Sequence, residues 1–336
     1  MSKRIPGPKS RFVQNAVRSR QFPIFVLMMT IIVVVSLRTP AFLSLGNFED
    51  IMLDIAMLAI VSIGQMIVMI TTGIDISVGS ILAFSAMAVG SMVRANPEIT
   101  PIIAILFGSL IGAALGCLNS FVITAMKIPP IITTLGTMSF FRGLVYVISQ
   151  GTWVMSHQLP ERFKEFTIQT DLGLPFLVII ALVLGVISYL FVNRIPIGRQ
   201  IYAVGCNQKA ARLAGIRVKR VEFLAYAISG LLSGVAGVMW VSRYAIAANN
   251  TATGFETQTI AACVIGGVSV FGGIGNIPGV FLGAFFIGMI NNAINLIGIS
   301  EFWKQAFYGM AIILAVVLDA VFNNRFKNMR AKNGEK

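Results

Sequence analysis

The sequence predicts an all-α fold: a polytopic helical membrane protein with about ten transmembrane helices and a broken or re-entrant segment. Composition is the first observation behind it. Apolar residues make up 56% of the chain and charged residues 12%, against roughly 25% charged in a soluble domain; the mean hydropathy is +0.84. Charge spacing is the second. From Ile55 to Val93 the only charge is Asp75, and from Phe223 to Asn324 there are five, Arg243, Glu256, Glu301, Lys304 and Asp319. About 20 apolar residues cross a hydrocarbon core about 30 Å thick, so such neutral runs hold pairs of spans. The third is the run Ile265 to Gly275, whose five glycines cannot sustain a regular helix well.

Taken in order, the spans fall at about 22–41, 48–70, 76–93, 101–124, 130–149, 174–193, 222–242, 258–273, 279–297 and 303–322. Pro and Gly mark the joints, as at Asn96-Pro97, Pro101, Pro129-Pro130, Pro175, Pro196 and Pro278. The first run ends in Arg38-Thr39-Pro40, with no small-residue cleavage site, and reads as a retained span. Lysine and arginine set the orientation. Residues 1–21 hold six of them, 194–220 seven and the tail after Asn324 five. The organisation is therefore a basic cytoplasmic N-terminus (1–21), a transmembrane domain (22–322) with a cytoplasmic loop at 194–220, and a basic cytoplasmic tail (323–336). Six spans before that loop and four after it satisfy all three segments. Eight also do so if two weaker helices are re-entrant. Trp153, Trp240 and Trp303 fall at outer span ends, where an indole pairs an apolar body with one donor.

Several function classes fall away. The net charge of +13 sits in short segments beside apolar spans, which is topogenic and gives no nucleic-acid surface. Cys117, Cys206 and Cys263 are too far apart for a zinc or redox motif, and His157 is alone in an outer loop. No metal cluster, catalytic triad, paired carboxylates or Gly-Lys phosphate loop is visible, so neither an enzyme nor a bound cofactor is expected in this chain.

Four segments carry the chemistry that remains. In Thr71 to Ser80, Asp75 stands between two apolar spans, where a carboxylate is costly and must find donors. It either caps the next helix through the N–H of Ser77 or Val78, or marks a break lining a transport route with Ser77; both can hold together. Asn119 is grouped with this set. In Lys127 to Thr137 the paired prolines start a helix at Pro130. Thr133, Thr134 and Thr137 then share a face, bonding back to their own helix or lining a sugar-sized cavity. Arg142 further along reads as snorkelling outward. The third segment holds Gly266, Gly267, Gly272 and Gly273; irregular backbone of this kind is tolerated in a membrane only where protein or a water-filled cavity surrounds it. In the fourth, Asn207 caps a short helix that ends at Gly215. Lys209, Ala210, Ala211 and Arg212 lie on it, as an ordinary positive loop or as a docking helix for a cytoplasmic partner. Gly108, Gly112 and Gly116, and Gly230 with Gly234, suit close helix packing.

Together these segments, with Ile228-Ser229-Gly230 through Gly237 and Ala261 to Gly283, resemble the permease family of ribose-, xylose-, rhamnose- and autoinducer-2-type ABC importers, in the branched-chain amino acid/simple-sugar permease superfamily. The resemblance runs from about Phe42 to Asp319. It implies a subunit of an ATP-driven importer in a bacterial inner membrane, translocating a simple sugar or sugar-like molecule delivered by a periplasmic sugar-binding protein. It implies further partners: an ATP-binding cassette ATPase, which carries the ATP and magnesium and grips the helix Asn207 to Gly215, and a second permease copy or paralogue, all in membrane lipid. Thr72 departs from the family pattern, standing where many members carry a second glycine.

The main alternative is a secondary transporter, driven by an ion gradient and acting alone. It would need intramembrane acids or histidines to couple the ion, and only Asp75 qualifies. A purely structural membrane subunit gains nothing from a glycine-broken core.

Overall fold

A computed structural model of the chain describes residues 22–171, 173–300, 303–314 and 317. The basic segments 1–21 and 323–336, and most of the C-terminal part of the tenth expected span, lie outside the described residues.

The described chain is mostly helical. In order it runs α1 (Phe22–Arg38), α2 (Leu45–Ile70), α3 (Val78–Ala95), α4 (Pro101–Thr124), α5 (Pro130–Ser149), a five-residue α6 (Glu161–Glu165), α7 (Phe176–Arg194), α8 (Pro196–Cys206), α9 (Gln208–Leu213), α10 (Val218–Tyr244), α11 (Phe255–Ile265) and α12 (Ile277–Ile297). Residues 303–314 are helical as well. Strands β1 (Thr170–Asp171) and β2 (Leu174–Pro175) pair antiparallel between α6 and α7.

Local chemistry sets these boundaries. Proline occupies the first turn of α4, α5, α8 and α12, where its missing N–H costs nothing. The Ser44 hydroxyl accepts from Asn47 N at the start of α2, and Asn276 Oδ1 accepts from Gly279 N at the start of α12. Left-handed residues stop α5 at Gln150, α10 at Ala245 and α12 at Gly298.

Seven helices, α2, α3, α4, α5, α7, α10 and α12, are long and apolar enough to cross a membrane. The expected polytopic helical fold is present, with seven such helices among the described residues where the sequence predicts about ten transmembrane helices, one segment broken or re-entrant. The expected span at 258–273 is the clearest difference. Its helix, α11, has 11 residues, about 16 Å at 1.5 Å per residue, half a hydrocarbon core. It stops at Ile265 because Gly266 and Gly267 follow, the latter with φ +88°, and the chain stays non-helical until α12.

α2 lies at the centre: from Ile55 to Ile70 its side chains are all buried. α10 packs along it and along α3 and α4. Outward faces of α4, α5 and α7 carry exposed Ile102, Leu110, Ile132, Val147, Val186 and Ile187, which suits contact with acyl chains.

The α4–α10 contact is made backbone to backbone. A Cβ on Gly112 would strike the Gly230 carbonyl and come within 2.7 Å of Gly234 N, and one on Gly230 would come within 2.7 Å of Gly116 Cα. The glycines that the sequence marks as small-residue pairs thus face each other across one seam, the arrangement that lets helices attract in lipid. Gly112→Ala is expected to destabilise the protein by about 1–3 kcal/mol, the usual cost of overpacking, read as a lower thermal midpoint of purified protein. Gly136→Ala, where nothing lies within 4 Å, should leave the midpoint unchanged.

Candidate functional site

Between α2 and α3 the chain leaves helical geometry at Thr71 and regains it at Val78. Thr72 sits at φ +70°, a left-handed conformation that costs a non-glycine residue about 1–2 kcal/mol. It is the position where the resemblance implies a second glycine, the residue that adopts such a φ without strain. Asp75 is fully buried in this break. One carboxyl oxygen accepts from Ser77 N at 3.0 Å and Ser77 Oγ at 2.6 Å; the other accepts from Ser229 Oγ of α10 at 3.0 Å. Asn119 of α4 donates to Ser77 Oγ at 2.7 Å. The expected N–H bond from Ser77 is present, and the carboxyl also ties the break to α10, with α4 joined through Ser77.

The other sequence-marked segments meet the same break. Gly273 N donates to Ile70 O at 2.9 Å, and Tyr202 Oη of α8 donates to Gly275 O at 2.8 Å. A Cβ on Gly205, at the end of α8, would collide with the Ile70 carbonyl, and one on Gly272 would approach Gly205 O at 3.1 Å. Thr134 Oγ1 of α5 lies 3.1 Å from Ile74 O and 3.0 Å from Pro130 O. Three segments far apart in sequence, the glycine loop, α8 and α5, therefore converge on the last carbonyls of α2 and the turn after it. Gly267, Gly272 and Gly273 hold φ of +88°, +85° and +72°, which glycine alone adopts without strain. Gly266 is needed for a different reason: a Cβ there would strike the carbonyl of Gly279.

The threonine face on α5 divides. Thr134 bonds both the break and its own helix, Thr137 Oγ1 reaches Thr134 O at 3.4 Å, and buried Thr133 Oγ1 has no partner among the described residues. None of the three borders either of the two large clefts described below.

Arg142 does not snorkel. Its guanidinium turns inward and donates to the carbonyls of Thr251 and Ala252, the latter at 2.9 Å. The reason is local: the turn before α11 holds Ala252 at φ +53° and Gly254 at φ +81°, so its carbonyls lie outside a helical ladder and can accept from a cation, Ala252 O in addition to its bond from Phe255 N. Glu256 approaches the same place, since a Cβ on Gly79 would lie 2.5 Å from Glu256 Oε2 and 3.6 Å from Arg142 Nη2. Sequence reasoning missed this junction; the signal was a lone arginine and a lone glutamate in otherwise neutral runs.

On the side of the break facing α9 a cleft of about 1130 Å³ opens, bordered by Lys127, Arg212, Arg217, Lys219, Arg220 and Glu222, with the buried Tyr226 hydroxyl at its wall. α9 itself is capped as the sequence predicts, Asn207 Oδ1 accepting from Ala210 N at 3.0 Å, and Gly215 at φ +81° follows it. Ala211 turns inward and is buried, whereas Lys209, Ala210 and Arg212 are exposed and Leu213 is 91% exposed. Leu213 was not singled out in the sequence; an apolar residue between an arginine and an alanine on a six-residue polar helix was the available signal. At the opposite end of the bundle, a second cleft of about 980 Å³ lies among α2, α10, α11, α12 and the helical segment 303–314.

Removing the Asp75 carboxyl leaves the Ser77 amide and the Ser77 and Ser229 hydroxyls without their acceptor. Asp75→Ala is expected to cost about 1–3 kcal/mol for each donor stranded in the interior, and so to reduce the yield and thermal midpoint of the purified protein. Arg142→Met should do the same by stranding the Thr251 carbonyl and leaving Ala252 O with Phe255 N alone, and Arg142→Lys should recover only part of the loss, because an ammonium lacks the forked donor geometry.

The family model described as branched-chain amino acid transport system / permease component matches residues 47–316. The chain is 37% identical over 295 residues to the ribose import permease protein of Bacillus subtilis, covering 88% of this chain and 91% of that one. It is 34% identical over 307 residues to the autoinducer 2 import system permease protein of an Enterobacter species, covering 91% and 88%. With the D-allose transport system permease protein of Escherichia coli it shares 34% identity over 300 residues, 89% of this chain and 91% of the other. No solved structure matches the chain.

Proposed function

The chain belongs to the family of the permease component of branched-chain amino acid transport systems, and from that premise we propose that it carries a simple sugar or sugar-like molecule through the membrane as the permease subunit of an ATP-driven importer. It is a multi-pass membrane permease and not an enzyme. The substrate class follows the relatives, whose names specify ribose, autoinducer 2 and D-allose. Hydrolysis of ATP belongs to a separate ATPase subunit, and a periplasmic binding protein delivers the sugar.

One observation carries the mechanism: the exposed helix α9 is joined through α8 to the break after α2 by direct backbone contact. Gly205 rests on the Ile70 carbonyl, and Gly273 N bonds to that same carbonyl at 2.9 Å. A force applied at Lys209, Ala210 and Leu213 is passed to the turn holding Asp75 and to the glycine loop after α11 without a flexible side chain between them. The break and the glycine loop after α11 are non-helical, so the bundle can bend there without disrupting a helical hydrogen-bond ladder. The residues Asp75, Ser77, Asn119, Thr133, Thr134 and Thr137 with Gly266, Gly267, Gly272 and Gly273 form the hinge beside the translocation route.

In this reading the chain crosses the membrane ten times, with α1, α11 and the helix from residue 303 as the three shorter passages. Both termini and the basic loop 194–220 face the cytoplasm, in keeping with positive residues remaining inside. A second copy or a sister permease completes the pathway, and no nucleic acid is involved. The ion-driven alternative is disfavoured by the state of Asp75: all three of its donors are already protein groups, which leaves it poorly placed to load and release an ion.

Leu213→Glu tests the docking face. The side chain is 91% exposed, so insertion and thermal midpoint should be unchanged, while ATP-dependent uptake into vesicles carrying the permease, ATPase subunit and binding protein falls by about ten-fold or more, as for an interface hot spot. Normal uptake by this variant would remove α9 as the coupling element.

A further inference from the structure

The cleft at the end of the bundle opposite α9 has the chemistry of a binding site, and we propose that it is a monosaccharide site contained within one permease subunit, accepting the neutral, multiply hydroxylated ligand before it passes the hinge. The proposal rests on the sugar-import reading for the identity of the ligand and on the cleft alone for its existence.

The size fits. The cleft measures about 980 Å³, at the upper end of the roughly 300–1,000 Å³ range of small-molecule pockets, and leaves room for a sugar with part of its water. The lining has four rings, Trp240, Tyr244, Phe255 and Tyr308. Trp240 lies 4.7 Å from Tyr244 and 5.9 Å from Phe255 between ring centroids, a rigid apolar wall of the kind that a pyranose or furanose presents its C–H face to. Opposite chemistry comes from amides: Asn250, Gln258, Asn291, Asn292, Asn295 and Gln305 all border the same space. Each amide offers two donors and a carbonyl acceptor, which suits hydroxyls that both give and take hydrogen bonds.

Electrostatics argues against an ionic ligand. Two acids, Asp50 and Asp54, and two bases, Arg243 and Lys304, border the cleft. Arg243 is held by Asp54 at 2.8 Å, and Tyr244 donates to the same Asp54 oxygen at 3.0 Å. The charges are therefore balanced within the wall, and no net field selects an anion or a cation. Several amides fix one another: Asn292 donates to Asn47 at 2.7 Å and Asn291 to Gln258 at 3.3 Å. The wall is pre-ordered. Asn295 and Gln305 are exposed on it.

Position gives the site a role. Asn291, Asn292 and Asn295 lie on one face of α12, a helix that crosses apolar surroundings and whose opposite end begins at the glycine loop. Asn291 and Asn292 are held by protein partners on this face, and exposed Asn295 beside them presents its amide to the cleft. The neighbouring α11, whose Phe255 and Gln258 border the cleft, runs directly to Gly266 and that same loop. A ligand seated here contacts both elements that meet the hinge.

The test uses the full chain in nanodiscs. With Trp153→Phe and Trp303→Phe, Trp240 is the sole indole, and its fluorescence is titrated with D-ribose, D-allose and D-xylose. A saturable change with at least one sugar is expected, weakened about three- to ten-fold in Asn295→Leu, the loss of one hydrogen bond; Asn295 is exposed, so the variant folds. Absence of a saturable response to any of the three, or a response that Asn295→Leu leaves unaltered, overturns the site. Uptake in vesicles with the ATPase subunit and binding protein is scored separately: uptake of a sugar without Trp240 titration sinks the site and spares the importer, and titration without ATP-dependent uptake does the reverse.

Discussion

A backbone that stops being helical inside a membrane protein has to find its hydrogen bonds within the protein, since hydrocarbon offers none. The break after α2 meets this constraint through bonds from several distant segments. The Ile70 carbonyl, where α2 ends, accepts from Gly273 N. Asp75 substitutes for the missing turn by accepting from Ser77 N, and its second oxygen recruits Ser229 from α10. The Ile74 carbonyl accepts from Thr134. Because the partners come from α5, α10 and the glycine loop, the need to satisfy one interruption draws distant parts of the sequence to one place. The remaining glycines are what allow backbone to approach backbone closely enough for those bonds to form.

The same requirement explains the second irregular point. Before α11 the chain turns through Ala252 and Gly254 with positive φ, leaving the Thr251 and Ala252 carbonyls outside any helix. Arg142 supplies the donors from the middle of α5. A cation at that depth is costly on its own; two carbonyls and nearby Glu256 offset the cost. The two interruptions are thus served by opposite charges, a carboxyl where N–H and O–H donors converge and a guanidinium where carbonyls do. α3 bridges them, with Gly79 beside Glu256 and Arg142 only a few residues from Ser77.

Much of this was legible in the sequence because the physics is local. Neutral runs give spans, prolines and capping residues give boundaries, and a lone Asp75 between apolar segments has to be satisfied somewhere. The cap on α9 at Asn207 follows from the same rules, and the glycine seam between α4 and α10 was visible as spacing, although not which glycines oppose which. What could not be read was pairing across distance. No period in α5 distinguishes an arginine that reaches lipid headgroups from one that reaches the carbonyls of residues 251 and 252, and the inward turn of Ala211 depends on how α9 lies against its surroundings. The short α11 was half legible: glycines announced an interruption, but the helix before it was drawn too long, since apolar character continues past Ile265 where helical geometry does not.

The two ends of the bundle differ in a way that fits directional transport. The cleft beside α9 is bordered by five cations and one acid, whereas the opposite cleft balances two acids with two bases and fills the rest of its wall with amides and rings. A neutral solute gains little from the first and much from the second. In the proposed reading, binding strength toward sugar is concentrated at the end remote from α9, and the break after α2 lies between the two. Such an arrangement lets substrate wait on one side while force arrives from the other, and it requires only that the break and the glycine loop move together. Their shared bond at Ile70 makes them a single mechanical unit.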